Sequence, residues 1–432
     1  MKRFFALLLL IITLPAAADV PTGELTMKRC MELAVANNVR MKLARTENDA
    51  ARGRAMKEAA DLLPQIVGTV SQSRIFRQNM RALGFLNVGL IGPWNVFDGR
   101  ITLTQRVLDL ASWHRSRAAK TDRQIAESAE DLTAVQVAAA AALSFIEAYR
   151  EKKAIEAAEA GHQLAKSLLT LATERHRAGS AARIEVARAR TREAEEILRI
   201  VEARLAFDEA LLRLKHLIGL PLNTSVLLAE PPPPSEPGAA PEEETIAAAL
   251  RDRIELKLAR LEVESEDQSL ASAQDRHLPS VAFDGEVAYS GNVPNSDAEW
   301  VGSVGGTLAV PIFSGRAVSG EVVEARAHSD AARARLADTR MQIEEDVRLS
   351  LRKTAAAVER VLTAKLALDL AQEELDLARE RYRTGIADNV EVVNAQTAFA
   401  RDQDAFVNAS AAREVARINL SLALGRLTAT TL

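Results

Sequence analysis

The residues Glu380 to Gln396 read ERYRTGIADNVEVVNAQ, and a second version of them stands earlier in the chain. Glu174 to Arg190 reads ERHRAGSAARIEVARAR and superposes on the later stretch without a gap. Gly179 falls on Gly385, and the match continues as far as Gly219 of the first copy. A gapless self-match of this length indicates an internal duplication. The chain is therefore predicted to contain two copies of one structural unit.

Each copy has the pattern of a turn between two long helices. Basic side chains crowd the end of the incoming helix, where the helix dipole favours positive charge. A glycine then supplies the left-handed residue that ends a helix. Asp388 and Asn389 are N-cap candidates for the departing helix of the second copy. One copy alone could equally be an ordinary helix–loop–helix turn. Two copies in one chain, each between long helices, instead predict that both turns form structural tips of long helical hairpins.

The composition favours long helices over a compact aromatic core. The 432 residues are 48% hydrophobic but only 4% aromatic, and the net charge is −4. Such a charge gives no indication of nucleic-acid binding. The single cysteine, Cys30, excludes a disulfide within one chain. The six histidines are scattered without a catalytic or metal-ligand spacing, so we predict no catalytic residue, metal or cofactor, and no enzyme activity.

The N-terminus predicts export from the cytoplasm. Lys2 and Arg3 precede an apolar run from Phe4 to Leu14, and an Ala-x-Ala box ends at Ala18. This is the pattern of a signal peptide over residues 1–18. The apolar run is too short for a membrane-spanning helix. No later stretch has about 18 consecutive apolar residues, so a membrane crossing would have to use β-strands.

Both copies contain a region of alternating apolar and polar residues. In the second copy, Val281 to Tyr289 and Trp300 to Ile312 alternate with period two, predicting two strands within about 280–313. In the first copy the predicted strands span about 65–97, with an apolar face running from Leu86 to Val96. One such pair also fits a soluble hairpin. Segments of about ten alternating residues also suit the strands of a membrane β-barrel. Such a barrel needs at least about eight strands, and this chain has four predicted strands, so several chains would have to form it together.

Long helices should follow each strand pair. Val96 to Arg100 (VFDGR) and Ile312 to Arg316 (IFSGR) look like matching strand exits. The first helix would then run from Thr102 to Ala178, roughly 115 Å, and its counterpart would be about ten residues shorter. The returning helices, Arg183–Ile218 and Glu242–His277, are expected to stack end to end.

The expected domains are a signal peptide (1–18), a first repeat (19–218) with its tip near 179, a linker (219–241), and a second repeat (242–432) with its tip near 385. The linker contains PPPPSEPGAAP, which stays extended. It is either wrapped around the middle of the helices or a disordered spacer between domains.

The signal peptide, the duplicated strand–strand–hairpin units and the tip sequences resemble TolC-type outer membrane efflux proteins over the mature chain. The resemblance implies a mainly α fold with a small β part. It further implies a homotrimer with a 12-stranded outer-membrane β-barrel, surrounded by lipid and continued by a 12-helix periplasmic α-barrel. The expected function is the exit duct of a tripartite efflux pump or type I secretion system in a Gram-negative bacterium. Expected partners are a periplasmic adaptor and an inner-membrane pump of the resistance-nodulation-division or ABC type; drug, metal ion and polypeptide all remain open as cargo.

The resemblance also implies roles at the tips. An acidic pore ring falls on Glu391, and a second ring position falls on the uncharged Asn394. Tyr382 falls on a tyrosine that latches onto an acidic residue, here Glu185. The latch arginine of the family falls on Ala387 in this chain, and Arg183, one turn from Gly179, is the candidate to take its place. The expected adaptor-docking residues are Arg175, Arg177, Gly179, Arg381, Arg383 and Gly385.

Two further interpretations stay open at this stage. Three copies of Glu391 around a narrow mouth would repel one another and select cations, but Glu391 and Glu185 also fit plain N-terminal helix acids favoured by the dipole. The whole chain could instead be a periplasmic coiled-coil adaptor or envelope scaffold without a channel. Such an adaptor has one hairpin within glycine-rich β-domains, whereas this chain has two hairpins and two strand pairs.

Overall fold

A computed structural model describes residues 24–79, 90–231, 241–294 and 297–427. The predicted signal peptide, residues 232–240 of the predicted linker, and Leu86 and Val88 of the predicted strand face lie outside the described residues. The helices are α1 (Met27–Asn37), α2 (Val39–Ala60), α3 (Leu110–Arg177), α4 (Arg183–Ile218), α5 (Glu242–Asp252), α6 (Ile254–Asp275), α7 (Ala317–Arg383) and α8 (Asn389–Ala423). The strands are β1 (Gln65–Ile75), β2 (Gln78–Asn79), β3 (Leu90–Ile91), β4 (Trp94–Leu108), β5 (Ser280–Gly291) and β6 (Glu299–Ala309).

The chain divides into two compact units, each built from both repeats. The tip unit consists of the described residues within Met1–Met41, Ala134–Thr245 and Asp346–Leu432. The sheet unit comprises Lys42–Thr133 and Ile246–Glu345. Both sequence copies therefore contribute to each unit, as a tandem duplication with intertwined copies would produce.

The sheet unit contains a four-stranded antiparallel sheet in the order β1-β4-β5-β6. Its central pair, β4 and β5, joins the two repeats, with Ile101 opposite Val287 and Gly99 opposite Tyr289. Strands β1 and β6 form the two edges, and among the described residues β2 pairs only with β3, in a short ribbon. Within the described residues the sheet does not close on itself, so both edge strands keep a row of backbone groups free for further pairing.

The pleat of the sheet separates apolar from polar side chains. Because neighbouring side chains of a strand point to opposite faces, the strand register fixes which residues share a face. The apolar face carries Ile66, Val70, Phe97, Ile101, Leu103, Phe283, Val287, Tyr289, Trp300, Val304 and Leu308. The polar face carries Thr69, Ser71, Asp98, Arg100, Thr102, Asp284, Glu286, Ser303 and Thr307. Val70 and Val304, 79% and 77% exposed, show how little of the apolar face the chain itself covers.

The predicted end of the first strand pair is wrong. The VFDGR stretch lies inside β4, which continues to Leu108, so α3 begins at Leu110 and not at Thr102. The strand continues because the alternation persists through Ile101 and Leu103, which pair with β1 and β5. As a result α3 and α7 have 68 and 67 residues, and the expected ten-residue difference does not exist.

The predicted apolar face of the first strand pair is also wrong. Trp94 and Val96 share the face of Asp98 and Arg100, while the odd-numbered residues of β4 form the apolar face. Leu90 belongs to the separate ribbon. The alternation of residues alone does not show which face of a strand is the apolar one when the polar face also carries apolar residues, as it does here at Trp94 and Val96.

The helical runs at the start of each repeat are broken once. Asn38 separates α1 from α2: its backbone is extended, its Nδ2 donates to the Leu217 carbonyl at 2.8 Å, and its Oδ1 caps the Arg40 amide at 2.8 Å. In the second repeat, Arg253 holds the same extended conformation between α5 and α6. The predicted uninterrupted helix over Glu242–His277 is therefore wrong at Arg253.

The core of the tip unit joins α1, α3, α4 and α8. Cys30, Phe145, Leu214 and Ile418 are all fully buried in it, and burial raises the pKa of the Cys30 thiol to about 12. The part of α3 in this core is rich in buried alanine, which lets neighbouring helices approach closely. Helix α3 also contains one 18-residue window apolar enough by composition to cross a membrane, 44% of it buried.

Candidate functional site at the hairpin tips

The two tips are built by the same backbone motif. Gly179 and Gly385 adopt φ of +75° and +80°, the left-handed region that favours glycine. At the first tip, Gly179 N donates to the His176 carbonyl and Ser180 N to the Arg175 carbonyl, at 3.0 and 2.9 Å. Gly385 and Ile386 repeat both bonds at the second tip, at 3.1 and 2.9 Å. This is the Schellman arrangement, so each arriving helix ends with its last carbonyls satisfied.

The departing helices begin with different caps. At the start of α8, the Asp388 carboxylate accepts from the amides of Val390 and Glu391 at 3.0 and 3.3 Å, which confirms Asp388 as an N-cap. Asn389 is not a cap, because it is the first residue of the helix. At the start of α4, Ala182 has no capping oxygen, and the Glu185 carboxylate instead accepts from the Ala182 amide at 3.0 Å.

Tyr382 connects the two tips of one chain. Its hydroxyl donates to Glu185 Oε2 at 3.1 Å, and its ring lies under the Arg175 guanidinium at 4.4 Å from the ring centroid. Arg175 also donates to the Tyr382 carbonyl, and Asn389 Nδ2 donates to the Glu185 carbonyl at 3.4 Å. We call these four residues, Arg175, Glu185, Tyr382 and Asn389, the tip clasp. They fasten the end of α7 and the start of α8 to the first hairpin.

The tyrosine of the clasp is held in its protonated form. Tyr382 is 1% exposed and packs with Leu168, Leu375 and Val392. Burial raises its pKa, and the hydrogen bond to Glu185 and the negative charge of that carboxylate raise it further. A phenol that resists ionisation remains a hydrogen-bond donor to Glu185 over the physiological pH range.

The Glu391 carboxylate forms an ion pair with Arg381. Its Oε1 lies 2.9 Å from Arg381 Nε, and both side chains are about half exposed. Arg383, two residues further on, pairs with Glu380 of its own helix at 3.0 Å. The two arginines of the Arg-x-Arg motif therefore have separate partners, and only Arg381 bridges the second tip.

The remaining predicted site residues face solvent. Within the described part of the chain, the side chains of Arg177, Arg183 and Asn394 are exposed and make no hydrogen bond or ion pair. Arg183 is thus not part of the clasp, whereas Arg175, predicted as a docking residue, is half-buried inside it. The aligned residues Arg175 and Arg381 have different partners, which no pattern in a single sequence reveals.

A second polar cluster lies on the polar face of the sheet. Arg100 contacts Glu286 at 2.5 Å across the junction of β4 and β5 and Asp98 at 3.1 Å. Glu286 also accepts from the Ser303 hydroxyl at 3.2 Å, and Asp284 from Thr307 at 3.4 Å. This face therefore carries an ion network and hydroxyls suited to contact with water, while the opposite face is apolar.

Comparison with known proteins identifies this architecture. The sequence profile described as "Outer membrane efflux protein" matches residues 30–220 and 245–426. The chain belongs to the outer membrane efflux protein family. The two matched stretches correspond to the two repeats, and the proline-rich segment between them is unmatched.

Individual outer membrane efflux proteins are similar over most of the chain. The outer membrane protein TolC of Escherichia coli is 23% identical over 90% of this chain and 80% of its own length. The proteases secretion protein PrtF of Dickeya chrysanthemi is 21% identical over 92% of this chain and 86% of its own. The crystal structure of the outer membrane protein VceC from Vibrio cholerae superposes with a TM-score of 0.83, at 18% identity, over 92% of this chain and 96% of that one.

Membership of this efflux family bears on four expectations. It confirms the resemblance to TolC-type proteins and the outer-membrane location. It also makes the chain an outer-membrane duct for efflux or secretion and not an enzyme, because the family consists of channel proteins.

Proposed function

We propose that three copies of this chain form the exit duct of a tripartite pump, closed at rest by the hairpin tips. The observation that carries this proposal is the sheet, which has one apolar face, one polar face and two open edges. Pairing β6 of one copy with β1 of the next closes twelve strands into a barrel. The exposed apolar side chains then meet lipid, and the Arg100 network lines a water-filled passage.

The tips supply the gate in this proposal. The tip clasp holds the second hairpin against the first within each chain, so opening would require the three clasped pairs to move apart or the clasps to break. Glu391 and Glu185 lie at the start of the helices that would surround the mouth, with Asn394 one turn further along. Three Glu391 carboxylates, each partly neutralised by Arg381, would favour cations at the entrance.

The exposed groups of the tips are the proposed contact with a periplasmic adaptor. Gly179, Gly385 and the arginines Arg177 and Arg383 are all solvent-exposed. An inner-membrane pump, of the resistance-nodulation-division or ABC type, would then deliver cargo through that adaptor. The pump sets the cargo, and both drug efflux and polypeptide secretion fit a passive duct; the relative PrtF is named for protease secretion.

Two measurements test the duct itself. Native mass of the protein purified from outer membranes should correspond to three chains, and the purified protein should produce discrete currents in planar lipid bilayers. A monomer that leaves bilayers electrically silent would overturn the proposal. The alternative of a periplasmic coiled-coil scaffold is not retained, because the family places the chain in the outer membrane.

The proposed docking to an adaptor has its own test, which leaves Gly179 and Gly385 unchanged. The double variant Arg177→Glu, Arg383→Glu should lose export in cells while its trimer level and bilayer currents stay normal. Because both side chains are exposed, the charge reversal should not disturb the fold. Unchanged export would show that the adaptor does not use these arginines.

A further inference from the structure

A small cavity lies beside the tip clasp, between helices α3, α4, α7 and α8. It leaves about 10 Å³ for a water-sized sphere, which is room for a single water molecule. Tyr382 of the clasp forms one part of its wall. Three further lining residues are polar, and the rest are the apolar side chains of Ala165, Leu168, Ala189, Val392 and Val393.

The three polar residues of the wall each carry a buried atom that lacks a hydrogen-bond partner in the described part of the chain. These atoms are Arg192 Nε, Asn389 Oδ1 and Gln396 Nε2. Gln396 is 2% and Asn389 4% exposed, so bulk solvent does not reach either amide. Buried polar groups of native proteins almost always have a partner in the protein or in an ordered water. Three unpaired atoms around one small cavity therefore indicate a bound molecule.

The other polar atoms of two of these side chains already have partners. Arg192 directs its two Nη groups to Glu195 and Glu196, at 3.3 and 2.6 Å. Asn389 Nδ2 donates to the Glu185 carbonyl at 3.4 Å. These contacts hold the two side chains in place, so neither can turn away to satisfy its unpaired atom elsewhere without losing a bond.

The positions of the two donors along their helices bring them together. The contact between Asn389 and Glu185 joins the first turns of α4 and α8, and both helices run away from the tips. Arg192 and Gln396 each follow that contact by seven residues, so both lie about 10 Å further along, on the same helix faces. Long side chains of a helix lean back toward its N-terminus. Arg192 and Gln396 are thus placed to reach toward each other and toward Asn389.

The chemistry of the unpaired atoms selects the occupant. Two are N–H donors and one is a carbonyl acceptor. A water molecule can accept two hydrogen bonds and donate two, so it satisfies all three. A halide or carboxylate would accept from the donors but repel the carbonyl oxygen of Asn389, and a metal cation would be repelled by the Arg192 guanidinium.

We propose that one buried water molecule occupies this cavity, accepting hydrogen bonds from Arg192 Nε and Gln396 Nε2 and donating one to Asn389 Oδ1. The water joins α4 to α8 from within the tip unit. Because Asn389 and Tyr382 belong both to the clasp and to the cavity wall, the water supports the clasp from its buried side. The inference concerns the fold of one chain and does not depend on the proposed duct.

A crystal structure of the purified protein, at a resolution that shows ordered waters, tests the site directly. It should contain spherical density at about 3 Å from Arg192 Nε, Gln396 Nε2 and Asn389 Oδ1. A cavity without density, or three atoms paired with protein groups, would overturn the proposal. Crystals soaked in bromide distinguish the occupants, because an anomalous peak at this position would assign the site to a halide and overturn the water.

A cavity-filling variant tests whether the water contributes to stability. Ala189→Val adds two methyl groups at the cavity wall, which should expel the water and leave the three polar atoms unpaired. Its melting temperature in detergent should fall below that of Ala187→Val, which places the same β-branched residue at an exposed position of α4. If the cavity were dry, filling it would improve packing. A melting temperature for Ala189→Val at or above that of Ala187→Val would therefore contradict the proposal.

Discussion

Tyr382 is the residue on which the two tips of one chain depend. The variant Tyr382→Phe keeps the ring under Arg175 but removes the 3.1 Å bond to Glu185. We expect a loss of roughly 1 kcal/mol at each clasp, enough to raise the open fraction of the duct several-fold in planar bilayers. Tyr149→Phe, on α3 and outside the clasp, is the matched control. An open fraction equal to that of the wild type would show that the clasp does not hold the gate.

The same tyrosine makes the clasp sensitive to alkali. The pKa of Tyr382 is raised in the folded chain by burial and by the hydrogen bond to Glu185. Its contribution to stability is therefore complete below the unfolded tyrosine pKa of about 10 and is lost as pH rises through the higher folded value. Thermal unfolding of the wild type and Tyr382→Phe between pH 8 and 11 should converge at the alkaline end. A constant difference across that range would contradict the assignment.

Arg381 partly neutralises the Glu391 carboxylate at the proposed entrance. Arg381→Ala releases Glu391 from its 2.9 Å ion pair, so the bilayer cation-to-anion permeability ratio should rise, by about two- to fivefold for a half-exposed pair. Glu391→Gln should lower the ratio. Arg383→Ala is the control for charge loss at the tip, because Arg383 pairs with Glu380 of its own helix. Equal ratios in the Arg381 and Arg383 variants would mean that the Glu391 pair does not influence permeation.

At the scale of elements, the joint between α3 and α4 contains a buried charge. Glu196 is 2% exposed and contacts Arg192 at 2.6 Å and Arg199 at 3.7 Å. It fits against α3 because position 161 is glycine: a Cβ there would lie 2.8 Å from Glu196 Oε2. Arg199 also contacts Asp404 of α8, so the cluster links three helices.

This joint predicts opposite effects for two similar substitutions. Alanine in place of a helical glycine ordinarily stabilises by about 1 kcal/mol. Gly53→Ala in α2 meets open space and should raise the melting temperature. Gly161→Ala should lower it, since displacing a buried, paired carboxylate costs roughly 1–3 kcal/mol more than the helix gains. Circular dichroism of the detergent-solubilised protein measures both, and an increase for Gly161→Ala would show that Glu196 can move freely.

The sequence predicted helices more reliably than strands, for identifiable reasons. The predicted bounds of α4 agree with the structure, because glycine tips and an apolar period mark both of its ends. The end of β4 was missed because FDGR resembles FSGR, yet Gly315 turns the chain at a φ of +61° while Gly99 lies within a strand. The contact of Tyr382 with Glu185 was implied by resemblance alone. The partners of Arg175 and Glu391 depend on which side chains meet in the folded chain, and these contacts cannot be predicted from a single sequence.

At the scale of the whole molecule, the proposed barrel would place the two faces of the sheet against different solvents. Val304 lies near the middle of β6 on the apolar face, and its neighbour Ser303 lies on the polar face beside Glu286. Both side chains are exposed in the single chain, so the structure of one chain gives no reason why a charged substitution should be tolerated at one of these positions and not at the other. In a trimeric barrel, Val304 would face lipid and Ser303 the aqueous passage.

This difference predicts that Val304→Arg abolishes assembly while Ser303→Arg is tolerated. An arginine on the lipid face near mid-membrane costs about 2–4 kcal/mol in each chain, so three chains would lose roughly 6–12 kcal/mol together. An arginine at position 303 would point into water and toward the Glu286 carboxylate, which attracts it. Heat-modifiable trimer in outer-membrane fractions should therefore disappear for Val304→Arg and persist for Ser303→Arg, with a reduced single-channel current. If both variants assembled equally well, the apolar face would not lie against lipid, and the proposed barrel would be wrong.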